Sequence, residues 1–174
     1  MDFYKLADER YSCRKFSDRE VEREKLEKIM DVAVMAPSAV NYQPIKVWLM
    51  ESDSAREILQ KVTPYRFVHR VKHVFVIGGR KNGSWTRECD NKNFADVDAA
   101  IAATHMLLEI HDLGLRSTWV GDIDTKLLKE LCPQMADYEI VAMLPVGYAA
   151  DEPKSGPCKL HFTRKSREEI VEIL

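Results

Sequence analysis

Arg10-Tyr11-Ser12-Cys13-Arg14 and, further on, Ala36-Pro37-Ser38-Ala39-Val40-Asn41-Tyr42-Gln43-Pro44 are the stretches on which the reading of this chain turns. Residues i, i+2 and i+4 of an extended segment share a face, so the first stretch presents Arg10, Ser12 and Arg14 together. Two guanidiniums and a hydroxyl suit a ligand that carries a phosphate and further acceptor oxygens. The second stretch is turn-forming. It leaves a helix that Pro37 stops and enters a strand.

Working outward, the spacing predicts a short opening helix through Phe3, Tyr4, Leu6 and Ala7. A longer helix follows over 22–35, where Leu26, Ile29, Met30, Ala33 and Val34 keep the i, i+3, i+4, i+7 rule. A strand is expected over 45–50. A short helix capped by Asp53 or Ser54 follows, then the strand Val74–Ile77 ending in Gly78-Gly79. That run is apolar without alternation, as in a strand buried on both faces. Residues 80–93 are polar, with Trp85 alone, and read as a loop or lid.

The segment 95–113 predicts a central, alanine-rich helix buried all round, with Gly114 as its left-handed terminator. Short strands are expected over 117–120 and 140–146, with a helix over 125–131 between them. Ser166-Arg-Glu-Glu169 is a capping box that predicts a final helix running through Leu174. The sum is one α+β domain over 1–174, with a small mixed, mainly antiparallel sheet between helices.

Composition bounds the function. The chain has 174 residues, 45% of them hydrophobic and 31% charged, with a formal net charge of -2. That balance points to a soluble globular domain and away from nucleic acid or an acidic membrane as partner. No apolar run is long enough to span a bilayer, and the first residues lack a secretory pattern, so a cytoplasmic location is expected. Cys13, Cys89, Cys132 and Cys158 form no CxxC pair and read as free thiols. Cys158 and His161 could ligate a metal, but no second pair accompanies them, and no metal site is expected. The five histidines likewise lack metal spacing, and His105 reads as a hydrogen-bonded core residue.

In order along the chain, Arg10-x-Ser12-x-Arg14, Ala36-Pro37-Ser38 to Gln43-Pro44, Asp96-Val-Asp98 before the alanine-rich helix, Gly114-Leu115 to Thr118-Trp119-Val120-Gly121, Pro145-Val146-Gly147-Tyr148 and Arg164-Lys165-Ser166 resemble the nitroreductase family of flavin enzymes. The resemblance implies the nitroreductase-like fold, an intertwined homodimer and FMN at the subunit interface. It implies cofactor contacts from Arg10, Ser12 and Arg14, and from Pro37, Ser38, Ala39 and Asn41 of the second subunit, and Tyr11 and Gln43 are further candidates to touch the cofactor. Trp119, Val120 and Gly121 would lie beside the reactive flavin edge, and Arg164 or Lys165 would meet the phosphate.

The implied activity is transfer of two electrons from NAD(P)H to nitroaromatic, quinone or flavin-like acceptors by ping-pong kinetics, with no catalytic side chain beyond the cofactor. A specialised reductive or flavin-fragmenting enzyme of the same fold, or a non-catalytic FMN carrier, are the alternatives. Departures from the common pattern are Tyr11 at a frequently basic position, Ile45 for tryptophan, Asp122 after Gly121, and a longer tail over 155–163.

Each residue admits two physical roles. Arg14 can stabilise charge at the N1–C2=O2 edge of a reduced flavin, or pair with Asp18. Asn41 and Gln43 can bond a flavin or tie their own loop. Ser12 can meet the phosphate or serve a turn. Gly121 can expose its N–H to flavin N5 or simply turn the chain. Trp119 can wall a ring or fill the core.

Overall fold

The computed structural model describes residues 2–152 and 155–174. The chain runs α1 (Phe3–Glu9), α2 (Arg23–Met35), β1 (Ile45–Met50), α3 (Asp53–Val62), α4 (Arg66–Arg70), β2 (His73–Gly79), β3 (Thr86–Arg87), β4 (Lys92–Asn93), α5 (Ala95–Asp112), α6 (Thr125–Leu131), β5 (Glu139–Val146) and α7 (Arg167–Ile170). Its principal sheet has the order β1-β2-β5 and is antiparallel throughout. The parallel component of the fold is the bridge Ser12–Ser117.

Strand β2 lies at the centre and is buried from Val74 to Gly79. Its alternation feeds two cores. Phe75 and Ile77 join Leu26 and Ile29 of α2 and Ala99, Ala103 and Met106 of α5 on one face. Val74 and Val76 join Leu59 of α3, Val68 of α4 and Leu128 of α6 on the other. Helices therefore cover both faces, which is why β2 reads as continuously apolar.

Close approach fixes the end of this strand. A Cβ on Gly79 would stand 2.3 Å from the carbonyl oxygen of Ala95, so only glycine lets the strand pass the start of α5. Just before Gly79 in the ladder, the register shifts between Ile77 and Gly78, a bulge that lets β5 bend away.

The elements differ from the sequence expectations in several places, among them the unexpected helix α4. Ser52, not Asp53 or Ser54, caps α3, its side chain accepting from the Ala55 N–H at 3.1 Å. Residues 117–120 form no continuous strand. Ser117 bridges Ser12 while Val120 bridges Met143, so the segment changes partner before a ladder can build. The polar segment 80–93 ends in the hairpin β3–β4, and Trp85 packs edge-on against Phe94 at 4.9 Å.

Helix α5 is buried along most of its length but leaves Asp96, Thr104 and Asp112 exposed, and His105 is only partly buried, bonding the carbonyl of Ile101 at 2.9 Å. The Ser166 capping box forms in full, yet α7 spans one turn, and Val171–Leu174 continue without helix. No helix among the described residues is long and apolar enough to cross a membrane.

Candidate active site

The segment after α1 is extended and sits between two neighbours. Cys13 N–H donates to Ser117 O at 2.9 Å, and Ala150 N–H donates to Lys15 O at 3.0 Å. Cys13 is thereby turned inward and buried, and Ser12 and Arg14 face out, as strand alternation requires. Arg10, Ser12 and Arg14 line one pocket of about 160 Å³ with Arg164, Cys158 and His161. Arg10, half-buried, forms no ion pair with a carboxylate among the described residues. Burial first, and the Arg164 charge second, push its pKa below the usual guanidinium value. Two cations that face each other without a counter-charge define an anion site.

Lys165 does not line this pocket. Tyr11 stands back from it too, its ring 5.4 Å beneath the Arg116 guanidinium and edge-on to His161 at 6.4 Å. The tail therefore closes over the arginines through the turn Lys159–Phe162, a segment without hydrophobic periodicity to mark it. Cys158 precedes that turn. The N–H groups of Leu160 and His161 push its thiol pKa down, and the charge of Arg14 adds to the effect. Among the described residues, no group of three or more His, Cys, Asp or Glu side chains is arranged to hold a metal.

Arg14 also lines a second cleft of about 290 Å³ with Trp119, Val120, Gly121, Tyr65 and Phe67. Its Nη1 donates to Ser12 O at 3.3 Å, and among the described residues it makes no pair with Asp18. Trp119 is 38% exposed and forms part of the cleft wall, not the core, whereas Val120 is buried against the second core. The loop is pinned from both sides. Val120 N–H donates to Met143 O at 3.0 Å, and Thr63 Oγ1 donates to Asp122 O at 3.0 Å. A Cβ on Gly121 would meet only Trp119 Nε1, at 3.9 Å, so packing inside the chain does not demand glycine there.

The second sequence stretch lies elsewhere. Pro37 follows α2, and Ala39–Asn41 make a tight turn in which Val40 and Asn41 have φ of 53° and 57°. A β-branched residue in the left-handed region costs roughly 1–3 kcal/mol, so the surroundings must hold it. Gln43 N–H donates to Ser38 Oγ at 2.9 Å, and Gln43 Nε2 donates to Asn41 Oδ1 at 2.8 Å, so both amides tie their own loop.

Sequence reasoning missed the anchor. Asp98 of α5 is buried, and its Oδ1 accepts the Ala39 N–H at 2.9 Å. Its Oδ2 has no partner among the described residues. Ser38 and Gln43 border an apolar trough of about 320 Å³ with Met30, Ala33, Val34 and Ile45, distinct from the arginine pocket. One chain thus carries two halves of the expected site apart. It brings together Arg10, Ser12, Arg14 and Arg164 with Trp119–Gly121 reached through Arg14, and leaves Pro37–Gln43 separate. Tyr65 and Phe67, which join the cleft, had no marker in the sequence beyond being aromatic.

Such a scaffold, with a cationic pocket that shares Arg14 with an aromatic cleft, suits an oxidoreductase that borrows its chemistry from an anionic aromatic coenzyme. Residues 7–148 match the Nitroreductase family, and the chain belongs to it. A nitroreductase family protein of Clostridium difficile 630 is 34% identical, with a TM-score of 0.89 over 99% of this chain and 98% of that one. A Methanothermobacter thermautotrophicus protein, provisionally named NADH dehydrogenase/NAD(P)H nitroreductase, is 28% identical over 94% of this chain and 88% of its own length. The fold is also that of a Desulfovibrio desulfuricans protein solved in complex with FMN, 23% identical, TM-score 0.79, over 98% of this chain and 95% of that one.

Proposed function

We propose that this chain is an FMN-dependent oxidoreductase, working as a homodimer, that passes electrons from NAD(P)H to a nitroaromatic, quinone or flavin-like acceptor. The observation that carries this reading is the convergence of Arg10 and Arg164 in one pocket without a carboxylate partner. That pocket fits the phosphate of FMN, which arrives close to dianionic. FMN, when bound, supplies hydride exchange with nicotinamides and with oxidising aromatics in turn, which gives ping-pong kinetics.

The chain's own residues do the rest. Arg10 and Arg164 neutralise the phosphate, and Ser12 bonds it. Arg14, at the mouth shared by the phosphate pocket and the cleft, sets a fixed positive charge where a reduced isoalloxazine becomes negative. Trp119 walls the ring, and Gly121 leaves its N–H unobstructed. The Pro37–Gln43 turn of a second copy closes the other side. The Asp98 anchor holds that turn in one shape against the strain at Val40, so its polar groups arrive already oriented.

Anaerobic mixing tests the proposal. Addition of NADH or NADPH to the purified yellow protein should bleach its absorbance near about 450 nm, where oxidised flavins absorb. Bleaching by dithionite but by neither nucleotide would mark a carrier and end the reading as an enzyme of this reductant. Arg14→Met should lower the flavin reduction potential while circular dichroism stays unchanged. An unaltered potential removes Arg14 from that role.

A further inference from the structure

The cleft beside Trp119 shares Arg14 and Phe67 with a neighbouring pocket of about 370 Å³. Arg66 and Arg70 reach it from one face of α4, being four residues apart. Arg14 and Lys15 reach it from the extended segment. Glu152 is the one carboxylate among its lining residues, and Lys15 already holds that group at 2.8 Å. Arg70 acts on Glu152 only at longer range, and Arg66 pairs with no carboxylate among the described residues. Four cations therefore face a single, engaged acid.

The neighbouring cleft has the opposite character. Tyr65 and Phe67 stack at 5.3 Å with an interplanar angle of 21°, beside Trp119. That wall suits a planar ring.

We infer that Arg66 and Arg70 form an anion subsite, so that the preferred substrates of this enzyme are planar aromatics bearing a phosphate, sulfonate or carboxylate. The inference rests on the reading of the Trp119 cleft as the place of reaction. The ring lies in the aromatic cleft, and the negative group reaches past Phe67 to the two guanidiniums, which offer bidentate contacts. Two kinds of substrate present this chemistry, the phosphates of the nicotinamide reductant and an anionic electron acceptor.

The double variant Arg66→Gln/Arg70→Gln separates them, since both side chains are exposed and neither touches the FMN pocket. Rapid mixing would follow bleaching by NADPH and NADH, then recovery with an uncharged and with a sulfonated naphthoquinone. The half-saturating concentration of the anionic partner should rise about tenfold, that of the uncharged quinone should hold, and Arg66→Lys/Arg70→Lys should retain most affinity. A loss greater for NADPH than for NADH assigns the subsite to the 2′-phosphate, and an equal loss for both to the pyrophosphate. A loss confined to the sulfonated quinone assigns it to the acceptor. Equal effects on charged and uncharged partners, or none at all, overturn the inference.

Calorimetry adds a readout free of turnover. Adenosine 2′,5′-bisphosphate should bind the wild-type holoprotein more tightly than adenosine, and the glutamine pair should erase the difference if the reductant is the source. Should neither nucleotide bleach the wild type, the proposed activity falls. The subsite then stands if the bisphosphate preference is present and lost in the variant, and falls if it is not.

Discussion

Among single residues, Arg10 is the most exacting, half-buried and facing the charge of Arg164. A guanidinium half-buried beside another guanidinium is unfavourable in an empty pocket and favourable once a dianion separates them. Arg10→Ala should therefore raise the FMN dissociation constant roughly 10- to 100-fold, read by fluorescence titration of the stripped protein. Full FMN retention in the purified variant would refute the phosphate assignment.

Cys158, on the rim of the same pocket, offers a second check. Its pKa is lowered, so its thiolate persists to a more acidic pH than that of free cysteine. The pH midpoint of its alkylation by iodoacetamide, followed by peptide mass, should lie below the ordinary thiol value. Saturating FMN should slow the reaction. Arg10, Ser12 and Arg14 were legible in the sequence because the extended alternation is local. Cys158 and His161 were not, because only the tail's return across the molecule brings them there.

At the scale of elements, the ends of β2 and β5 carry the sharpest consequences. Gly79→Ala would drive a methyl into the backbone of Ala95, and the cost is about 3 kcal/mol, visible as a marked fall in the thermal midpoint. Beyond β5, Tyr148 joins the sheet to the first turn of α2. Its hydroxyl donates to Glu22 Oε2 at 2.7 Å and accepts from Lys25 Nζ at 2.8 Å, while Arg19 covers the ring at 3.7 Å. The Tyr148 bond chiefly holds the Glu22 pKa down at about 2.

A depressed carboxylate contributes stability above its unfolded value, and that contribution is lost as pH falls toward about 2. Tyr148→Phe should move the Glu22 titration, followed by carboxyl NMR, upward toward the ordinary range. An unmoved titration would show that another group sets it.

Element bounds such as β1 and α6 were readable because their periodicity and stop signals are adjacent in sequence. The 117–120 segment misled because its residues have strand character while their hydrogen bonds go to different neighbours. The C-terminal capping box starts a helix but cannot extend it, since Ile173 and Leu174 find no surface to pack on within the chain.

At the scale of the whole molecule, the described chain leaves Val34, Met35, Val40 and Tyr42 exposed around the Pro37–Gln43 turn, and Leu160 and Phe162 exposed in the tail. An exposed apolar surface of this kind fits the second copy proposed above. Sedimentation should give twice the chain mass, and Val34→Asp with Met35→Asp should shift it toward the single chain and release FMN. A monomeric wild type would sink the two-chain site. The apolar trough is built from residues 30–47, whereas the arginine pocket needs the tail's return to Arg10 and Arg14, and the two sit apart in one chain. With the site divided between two copies as proposed, dilution alone should act as an inhibitor. Turnover per molecule should decline at low protein concentration, after a lag set by subunit separation, and added coenzyme should restore it by drawing the pair back together.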